Sequence, residues 1–277
     1  MSAKASALLK NTRRAPEILR CARETSQWPQ ITSAYLGFST LPYPRVLRLR
    51  HGDCIQLNEL TDLKTFWQIF LRRVYRVEPS DLVILDIGAN VGLFSLYAAR
   101  QAHSAKIYAV EPFPATFNRL LEAVRDHQLA ERITCLNCAL TGDGATRLMR
   151  NDPLPSQRRS LVPSGKESSG IQVQSRTLSQ LIREQGVNQI DLLKMDIEGG
   201  EYEVLLSTPP AVLRNIRRIA LEYHGDCAPH SKEEIFDHLR AAGFEVTNDV
   251  HDSLGYGVAN LRLDTFRNAP SQATGSV

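Results

Sequence analysis

A short turn of small residues between two apolar runs is the part of the sequence that most clearly suggests chemistry. The apolar run LVILDI, residues 82–87, contains Asp86 and passes directly into Gly-Ala-Asn-Val-Gly. Since glycine has no Cβ, such a turn lets a ligand approach the backbone closely. Glu111 follows the next apolar run, 106–110, where a carboxylate can accept both hydroxyl groups of a ribose. The turn residues expected at a ligand are Gly88, Ala89, Asn90, Val91 and Gly92.

The spacing of this turn separates two classes of cofactor. A dinucleotide-binding turn has the pattern G-x-G-x-x-G, which receives a pyrophosphate, whereas this chain has D-x-G-x-N-x-G. An acidic residue at the strand end repels a pyrophosphate, but Asp86 attracts a cationic sulfonium or ammonium group. The pattern therefore favours S-adenosylmethionine over a nicotinamide dinucleotide.

The elements that must position these residues follow an alternating pattern. From residue 81 onward, short apolar runs alternate with amphipathic helices, which predicts a parallel sheet with helices on both faces. The predicted strands are 82–87, 106–110, 132–140, 190–197 and 217–224, followed by an antiparallel pair at 244–249 and 256–263. The predicted helices include 91–101, 178–184, 201–206 and one from Ser231 to Gly243.

The chain divides into three predicted regions. Residues 1–80 form an accessory region with a hairpin, residues 45–50 and 54–57, and a helix over 62–76. Residues 81–267 form the main domain, in which 141–174 is expected to be a polar surface insertion without a core. Residues 268–277 are expected to be a disordered tail.

Composition excludes several classes of protein. The chain has 277 residues and a formal net charge of +3, too near neutral to indicate a dedicated nucleic-acid or membrane-surface binder. It has neither an apolar run long enough to span a membrane nor the pattern of a secretory signal. We therefore expect a cytoplasmic protein; the sequence does not determine an oligomeric state.

Five sequence blocks together resemble the FkbM family of S-adenosylmethionine-dependent methyltransferases. They are DIGANVG (86–92), AVEPFP (109–114), NCAL (137–140), DLLKMDIEGGEYEVL (191–205) and ALEYHG (220–225). The resemblance covers roughly residues 45–263 and implies a seven-stranded, Rossmann-like class I methyltransferase sheet with a terminal antiparallel strand. It places Asp86, Gly88, Asn90 and Gly92 on the methionine part of the cofactor and Glu111 on the ribose. It also places Asn137 and Cys138 near the adenine, and the chain departs from it at Gly200, where alanine is expected.

The resemblance also makes the strands at 190–197 and 217–224 neighbours, which brings candidate catalytic residues together. Asp196 and Glu198 alternate with apolar residues, and Glu222 and His224 share a face of the later strand. His224 is the predicted general base, because free histidine titrates at about 6.5, and Asp196 or Glu198 is the competing candidate. Glu222 is expected to orient the histidine or the substrate, and Asp196 also to contact the cofactor. A buried ion pair between Lys194 and Asp196 remains an alternative.

The predicted function is methyl transfer with S-adenosylmethionine as cofactor. The resemblance implies that the acceptor, and so the partner, is a small molecule, and that the methyl group goes to a hydroxyl of a sugar or a secondary metabolite. No metal site is predicted, although the carboxylates would suit magnesium. A nucleic-acid methyltransferase is the first competing hypothesis, but such enzymes usually carry Pro-Pro and an aromatic residue where this chain has Ile197-Glu198-Gly199. A nicotinamide-dependent oxidoreductase is the second, and a catalytically silent protein that only binds the cofactor is the third.

Overall fold

The chain folds around one large sheet in a computed structural model that describes residues 14–150, 170–225, 230–251 and 256–264. The strands are β1 (Arg45–Arg48), β2 (Cys54–Leu57), β3 (Val83–Ile87), β4 (Lys106–Val110), β5 (Ile133–Leu136), β6 (Ala139–Leu140), β7 (Arg147–Arg150), β8 (Gly170–Val173), β9 (Ser175–Arg176), β10 (Leu192–Met195), β11 (Arg218–His224), β12 (Phe244–His251) and β13 (Tyr256–Leu263). The helices are α1 (Ala15–Glu24), α2 (Trp28–Tyr35), α3 (Leu60–Phe66), a π-helix (Trp67–Arg72), α4 (Leu93–Gln101), α5 (Pro114–Asp126), α6 (Leu178–Glu184), α7 (Glu201–Ser207), α8 (Pro210–Leu213) and α9 (Lys232–Ala241).

The large sheet has seven strands in the order β12-β13-β11-β10-β3-β4-β5. The five strands from β11 to β5 are parallel, and β13 pairs antiparallel with both β11 and β12. This arrangement confirms the predicted seven-stranded sheet with its antiparallel final pair. Because the parallel strands run the same way, their carboxyl ends meet at one edge, where ligands bind in such sheets.

Successive side chains of the central strands point to opposite faces of the sheet, so the hydrophobic core lies in two parts, one on each face. On β3, Ile84 packs in one hydrophobic cluster, whereas Leu85 and Ile87 pack in the other. The cluster around Ile84 includes buried apolar residues of the accessory region and of α4. Asp86 and Lys194 lie opposite each other in the β3–β10 register. Ser95 of α4 donates to Asp86 at 2.6 Å, so the Asp86 side chain lies on the accessory side of the sheet.

The accessory region confirms the predicted hairpin and changes the predicted helix. The hairpin forms between β1 and β2. The helix expected over 62–76 begins instead at Leu60, becomes a π-helix at Trp67 and ends at Arg72. Its end is set by Arg73, whose φ of 57° is left-handed and cannot continue the helix. The chain then turns so that Tyr75 packs edge to face against Phe94 of α4.

Two predictions about the middle of the chain are wrong. The strand expected over 132–140 is interrupted, because the Asn137 side-chain amide donates to the carbonyl oxygens of Glu111 and Pro112 at 2.8 and 3.0 Å. Strand β6 therefore leaves the main sheet and pairs with β9. The expected coreless insertion contains a hairpin of β7 and β8, and Met149 and Val173 are buried. They pack with Phe113 and Ala139.

Residues 151–169 and the predicted disordered tail lie outside the described residues. In the part of the chain that the structure describes, no helix has the length and apolar character needed to cross a membrane.

Candidate active site

A cavity of about 340 Å³ opens at the carboxyl edge of the sheet, a size within the range of small-ligand sites. It brings together most of the predicted site residues, namely Gly88, Ala89, Asn90, Val91, Glu111, Cys138, Asp196, Glu198, Glu222 and His224. The predicted residues that do not line it are Asp86, Gly92 and Asn137.

The turn after β3 owes its shape to left-handed backbone positions. Gly88, Asn90 and Gly92 have φ values of 78°, 50° and 87°. A Cβ built on Gly88 would lie 1.8 Å from the backbone oxygen of Asp196, so no other residue fits there without movement of the chain. Asn90 Oδ1 is buried with no hydrogen-bond partner in the described structure. The turn therefore presents an unused acceptor in a residue that lines the cavity.

Glu111 is held by the backbone at the end of β4. Its two carboxylate oxygens accept from the backbone N–H groups of Asn90 at 3.0 Å and Phe113 at 2.9 Å. Burial raises the pKa of Glu111 to about 7, although these two hydrogen bonds act in the opposite direction. Asn137 takes no part in the cavity wall, but its bonds to the backbone of Glu111 and Pro112 fix the segment that carries this carboxylate.

Asp86 lies behind the cavity rather than in its wall, so the structure does not place it against a ligand as the sequence predicted. The carboxylate is fully buried, and Lys194 Nζ lies 3.2 Å from its Oδ1. Lys194 also donates to the backbone oxygen of Gly88 at 2.7 Å. Burial alone would lower the pKa of Lys194, but the charges of Asp86 and Asp196 outweigh it and raise the pKa. The partner predicted for Lys194, Asp196, lies farther away, at 4.0 Å.

The opposite wall holds a cluster of carboxylates around an imidazole. His224 Nε2 lies 3.6 Å from Glu198 Oε2 and 4.0 Å from Asp196 Oδ1. Strand β10 ends at Met195, so Asp196 and Glu198 stand in the following loop rather than on the extended strand that the sequence predicted. Glu198 reaches the cavity because its backbone turns to a left-handed φ of 54°.

Burial and like charge set the protonation of these carboxyls. Burial, together with neighbouring carboxylates, raises the pKa of Glu198 to about 7. Burial and the charge of Asp196 raise the pKa of Glu222 to about 7 as well. Tyr75 donates its hydroxyl to Glu222 at 2.5 Å, and burial raises the pKa of that phenol well above its usual value.

The imidazole is more basic than the sequence predicts. Burial by itself would lower the pKa of His224, but the hydrogen bond and charge of Glu201, with the charges of Asp196 and Glu198, raise it to about 10. At neutral pH His224 is therefore protonated and cannot accept another proton.

Glu201 is a residue of the site that the sequence does not reveal. It is the first residue of α7 and is fully buried, with Oε1 3.1 Å from His224 Nδ1. The sequence could have indicated that Glu201 lies at the start of a helix, because acidic residues are favoured in the first helical turn. Its contact with His224, however, depends on how β11 lies beside α7.

The accessory helix and the β7–β8 hairpin also reach the cavity. Thr65, Gln68 and Ile69 line it from α3 and the π-helix, and Met149 lines it from β7. In the sequence, the helical periodicity indicates only that Thr65 and Gln68 lie outside the hydrophobic core. It does not indicate that they border a ligand site.

The strand order and the position of the cavity define a Rossmann-like class I methyltransferase fold. A model of the methyltransferase FkbM domain matches residues 86–246. The chain belongs to the FkbM methyltransferase family, which sets aside a nicotinamide-dependent oxidoreductase.

Three relatives illustrate this membership. Methyltransferase sdnD of Sordaria araneosa is 30% identical over 66% of this chain and 82% of its own length. The 31-O-demethyl-FK506 methyltransferase FkbM of Streptomyces tacrolimicus is 27% identical over 64% of this chain and 77% of its own. The AMB antimetabolite synthetase AmbE of Pseudomonas aeruginosa is 32% identical over 66% of this chain, but the match spans 10% of that much longer protein.

Proposed function

We propose that this chain transfers a methyl group from S-adenosylmethionine to a hydroxyl group of a small molecule, a sugar or a secondary metabolite. The observation that carries the proposal is that one cavity joins the glycine turn and Glu111 to the Asp196, Glu198 and His224 cluster. The name of the Streptomyces tacrolimicus relative, an O-demethyl compound methyltransferase, supports a hydroxyl acceptor.

The residues of the turn fit this cofactor. Asn90 Oδ1 is a buried acceptor without a hydrogen-bond partner in the described structure, as an ammonium group of the methionine part requires. Glu111 offers carboxylate oxygens for ribose hydroxyls. The absence of a side chain at Gly88 leaves the approach to the backbone clear. S-adenosylmethionine supplies an activated methyl group, and its transfer leaves the electron pair of the broken C–S bond on sulfur.

The chain's own task is to position the acceptor and to remove its proton. We assign proton removal to Glu198 rather than to His224, because a base with a pKa near 7 is available at neutral pH and His224 is already protonated. The hydroxyl proton passes to the Glu198 carboxylate as the new O–CH3 bond forms. His224 stabilises the Glu198 anion before this transfer, at 3.6 Å.

Glu222 lies beside Glu198 and His224, and we assign to it the binding of the small molecule that receives the methyl group. Its Oε2 accepts from Tyr75, which fixes the carboxyl, and both residues line the cavity. Orientation of the hydroxyl in line with the S–CH3 bond supplies most of the rate acceleration.

A labelled-methyl screen tests the proposal. The protein is incubated with pooled metabolite extracts and S-adenosylmethionine carrying an isotopic methyl label, and labelled products are identified by mass. Glu198→Gln is expected to lower the turnover of the identified acceptor by about 10²- to 10⁴-fold. The control Glu184→Gln changes an exposed glutamate of α6 that pairs with Arg176 and is expected to leave turnover unchanged.

Three outcomes would contradict the proposal. Failure of S-adenosylmethionine to stabilise the protein in thermal unfolding would exclude the cofactor, since a ligand at 100 times its Kd stabilises by about 2.7 kcal/mol. Label recovered only in added RNA or DNA would replace the small-molecule acceptor with a nucleic acid. Full turnover by Glu198→Gln would remove the assignment of the base.

A further inference from the structure

The buried carboxylate of Glu201 joins three donors from two parts of the site. Its Oε1 accepts from the backbone N–H of Ile197 at 2.8 Å, and its Oε2 accepts from that of Gly199 at 2.8 Å. The same Oε1 lies 3.1 Å from His224 Nδ1. A single side chain therefore connects the loop after β10 to the end of β11.

The loop that Glu201 holds has an unfavourable backbone. Glu198 is a non-glycine residue with φ 54°, and Gly199 follows with φ 99°. Such left-handed positions persist only where the surroundings enforce them, and at functional sites they often aim a side chain. The two N–H groups that donate hydrogen bonds to Glu201 belong to the residues on either side of Glu198. These hydrogen bonds therefore fix the direction in which the Glu198 side chain points.

The imidazole is fixed by the same carboxylate. With Nδ1–H directed at Glu201, the other ring nitrogen, Nε2, is turned toward Asp196 and Glu198. The charged groups that surround His224 come from α7 (Glu201), from the loop after β10 (Asp196 and Glu198) and from its own strand (Glu222). Of these, Glu201 approaches the ring most closely and is fully buried.

We propose that Glu201 is a positioning residue for methyl transfer, whose carboxylate holds the 197–199 loop and the His224 ring so that Glu198 and Nε2 meet at the cavity. The proposal rests on the proposed function above. Glu201 itself is not among the residues that line the cavity, so it acts through its partners.

The variant Glu201→Gln tests this role, because it keeps the shape but loses the charge and places an amide N–H2 against a backbone donor. Turnover of the acceptor found in the labelled-methyl screen is expected to fall by about tenfold or more, with the KM for S-adenosylmethionine changed by less than about threefold. In ¹⁵N NMR titrations of the histidine rings, the His224 midpoint is expected to fall by more than about one pH unit. The His224→Gln variant assigns the resonance.

Matched variants separate positioning from a general loss of structure. Glu203→Gln removes a carboxylate from the same helix that also accepts a backbone N–H, that of Gly142 at 2.9 Å, and is expected to leave the His224 midpoint unchanged. Glu201→Asp keeps the charge and is expected to restore the midpoint toward that of the wild type. In a His224→Gln background, Glu201→Gln is expected to lower turnover by a smaller factor than it does in the wild type, because the part of its effect that passes through the ring is already lost and only its hold on the 197–199 loop remains.

An unchanged His224 midpoint in Glu201→Gln, or fully additive losses in the double variant, would overturn the proposal. If Glu201→Gln does not fold, the Glu201→Asp titration decides: a midpoint that falls far below the wild-type value overturns the proposal, and a retained one supports it. A wild-type protein without labelled product would contradict the proposed function, while the NMR titration would still judge whether Glu201 fixes the histidine.

Discussion

The half of the cavity to which we assign the cofactor, called the cofactor half below, is shaped by the backbone. The half to which we assign catalysis, called the catalytic half, is held by buried charges. In the turn after β3, left-handed glycines set the geometry, and Glu111 is fixed by two backbone N–H groups, that of Asn90 in this turn and that of Phe113 after β4. Across the cavity, Glu198, His224 and Glu201 hold one another by ionic contacts. The first half should therefore tolerate changes of charge better than changes of shape, and the second half the reverse.

The two halves meet where Gly88 touches the loop after β10, and the largest effect is expected there. Gly88→Ala places a Cβ 1.8 Å from the backbone oxygen of Asp196 and imposes a side chain at φ 78°. We expect a loss of about 4 kcal/mol or more in the free energy of unfolding. Binding of S-adenosylhomocysteine, measured by calorimetry, is expected to disappear.

Gly186→Ala is the control for this change, because Gly186 also has a positive φ, 64°, but no atom within 4 Å of the built Cβ. Its cost is expected to be only the backbone strain, about 1 kcal/mol. Equal losses in the two variants would show that contact between the halves does not restrict Gly88.

The Lys194–Asp86 pair tests whether buried charge supports the cavity from behind. Lys194→Met leaves the fully buried Asp86 without its cation. We expect the free energy of unfolding, measured by chemical denaturation, to fall by about 3 kcal/mol. The double variant Asp86→Asn with Lys194→Met is expected to regain part of it, because no unpaired charge remains.

The exposed pair of Arg240 with Asp237 provides the comparison for that loss. Their side chains are 54% and 75% exposed, so Arg240→Met is expected to cost less than about 1 kcal/mol. A similar loss in Lys194→Met would mean that the buried pair contributes no more than a surface one.

The difference between the halves also explains what the sequence could predict. The turn and the sheet are local features: glycine spacing, apolar runs and helical periodicity all lie within short segments, and the structure places Gly88, Asn90 and Glu111 in one cavity. The convergence of Asp196, Glu198 and His224 was also accessible, because neighbouring parallel strands end at the same edge.

The errors concern contacts between distant segments. The sequence makes Asp86 look available for a ligand because its partner Lys194 lies far along the chain, and only the β3–β10 register brings them together. Histidine's ordinary pKa makes His224 look like the base, whereas Glu201 on another element sets its actual basicity. The β7–β8 hairpin escapes sequence analysis because each strand has only four residues, and its buried side chains, Met149 and Val173, pack against residues from elsewhere in the chain, Phe113 and Ala139.

The pH dependence of stability sharpens the comparison, because the cofactor half also contains a buried carboxyl with a raised pKa. Glu111 has a pKa of about 7 in the folded chain, above that of an unfolded glutamate, so the folded state binds more protons between these values. Its contribution to stability is fully present below about pH 4.5 and is lost as the pH rises to about 7.

Glu111→Gln should therefore flatten the decrease in the free energy of unfolding over this window by up to about 1.4 kcal/mol per pH unit. Urea denaturation at several pH values measures the slope, with Glu184→Gln as an exposed control. An unchanged slope in Glu111→Gln would indicate that the Asn90 and Phe113 N–H groups compensate for burial.

The smallest effect is expected at Gly200, the position where the chain departs from the alanine expected of its family. Gly200 has an ordinary helical φ of −76°, unlike Gly88, so its backbone does not require glycine. A Cβ there would lie 3.0 Å from Ile197 Cδ1, the flexible end of a side chain that can shift by a few tenths of an ångström. Alanine also has fewer conformations than glycine in the unfolded chain, which stabilises the folded state by about 0.4–1 kcal/mol. The free energy of unfolding of Gly200→Ala, measured by thermal unfolding, should therefore remain within about 1 kcal/mol of the wild-type value. A loss as large as that of Gly88→Ala would mean that backbone shape limits the catalytic half as tightly as the cofactor half, and the distinction between them would fail.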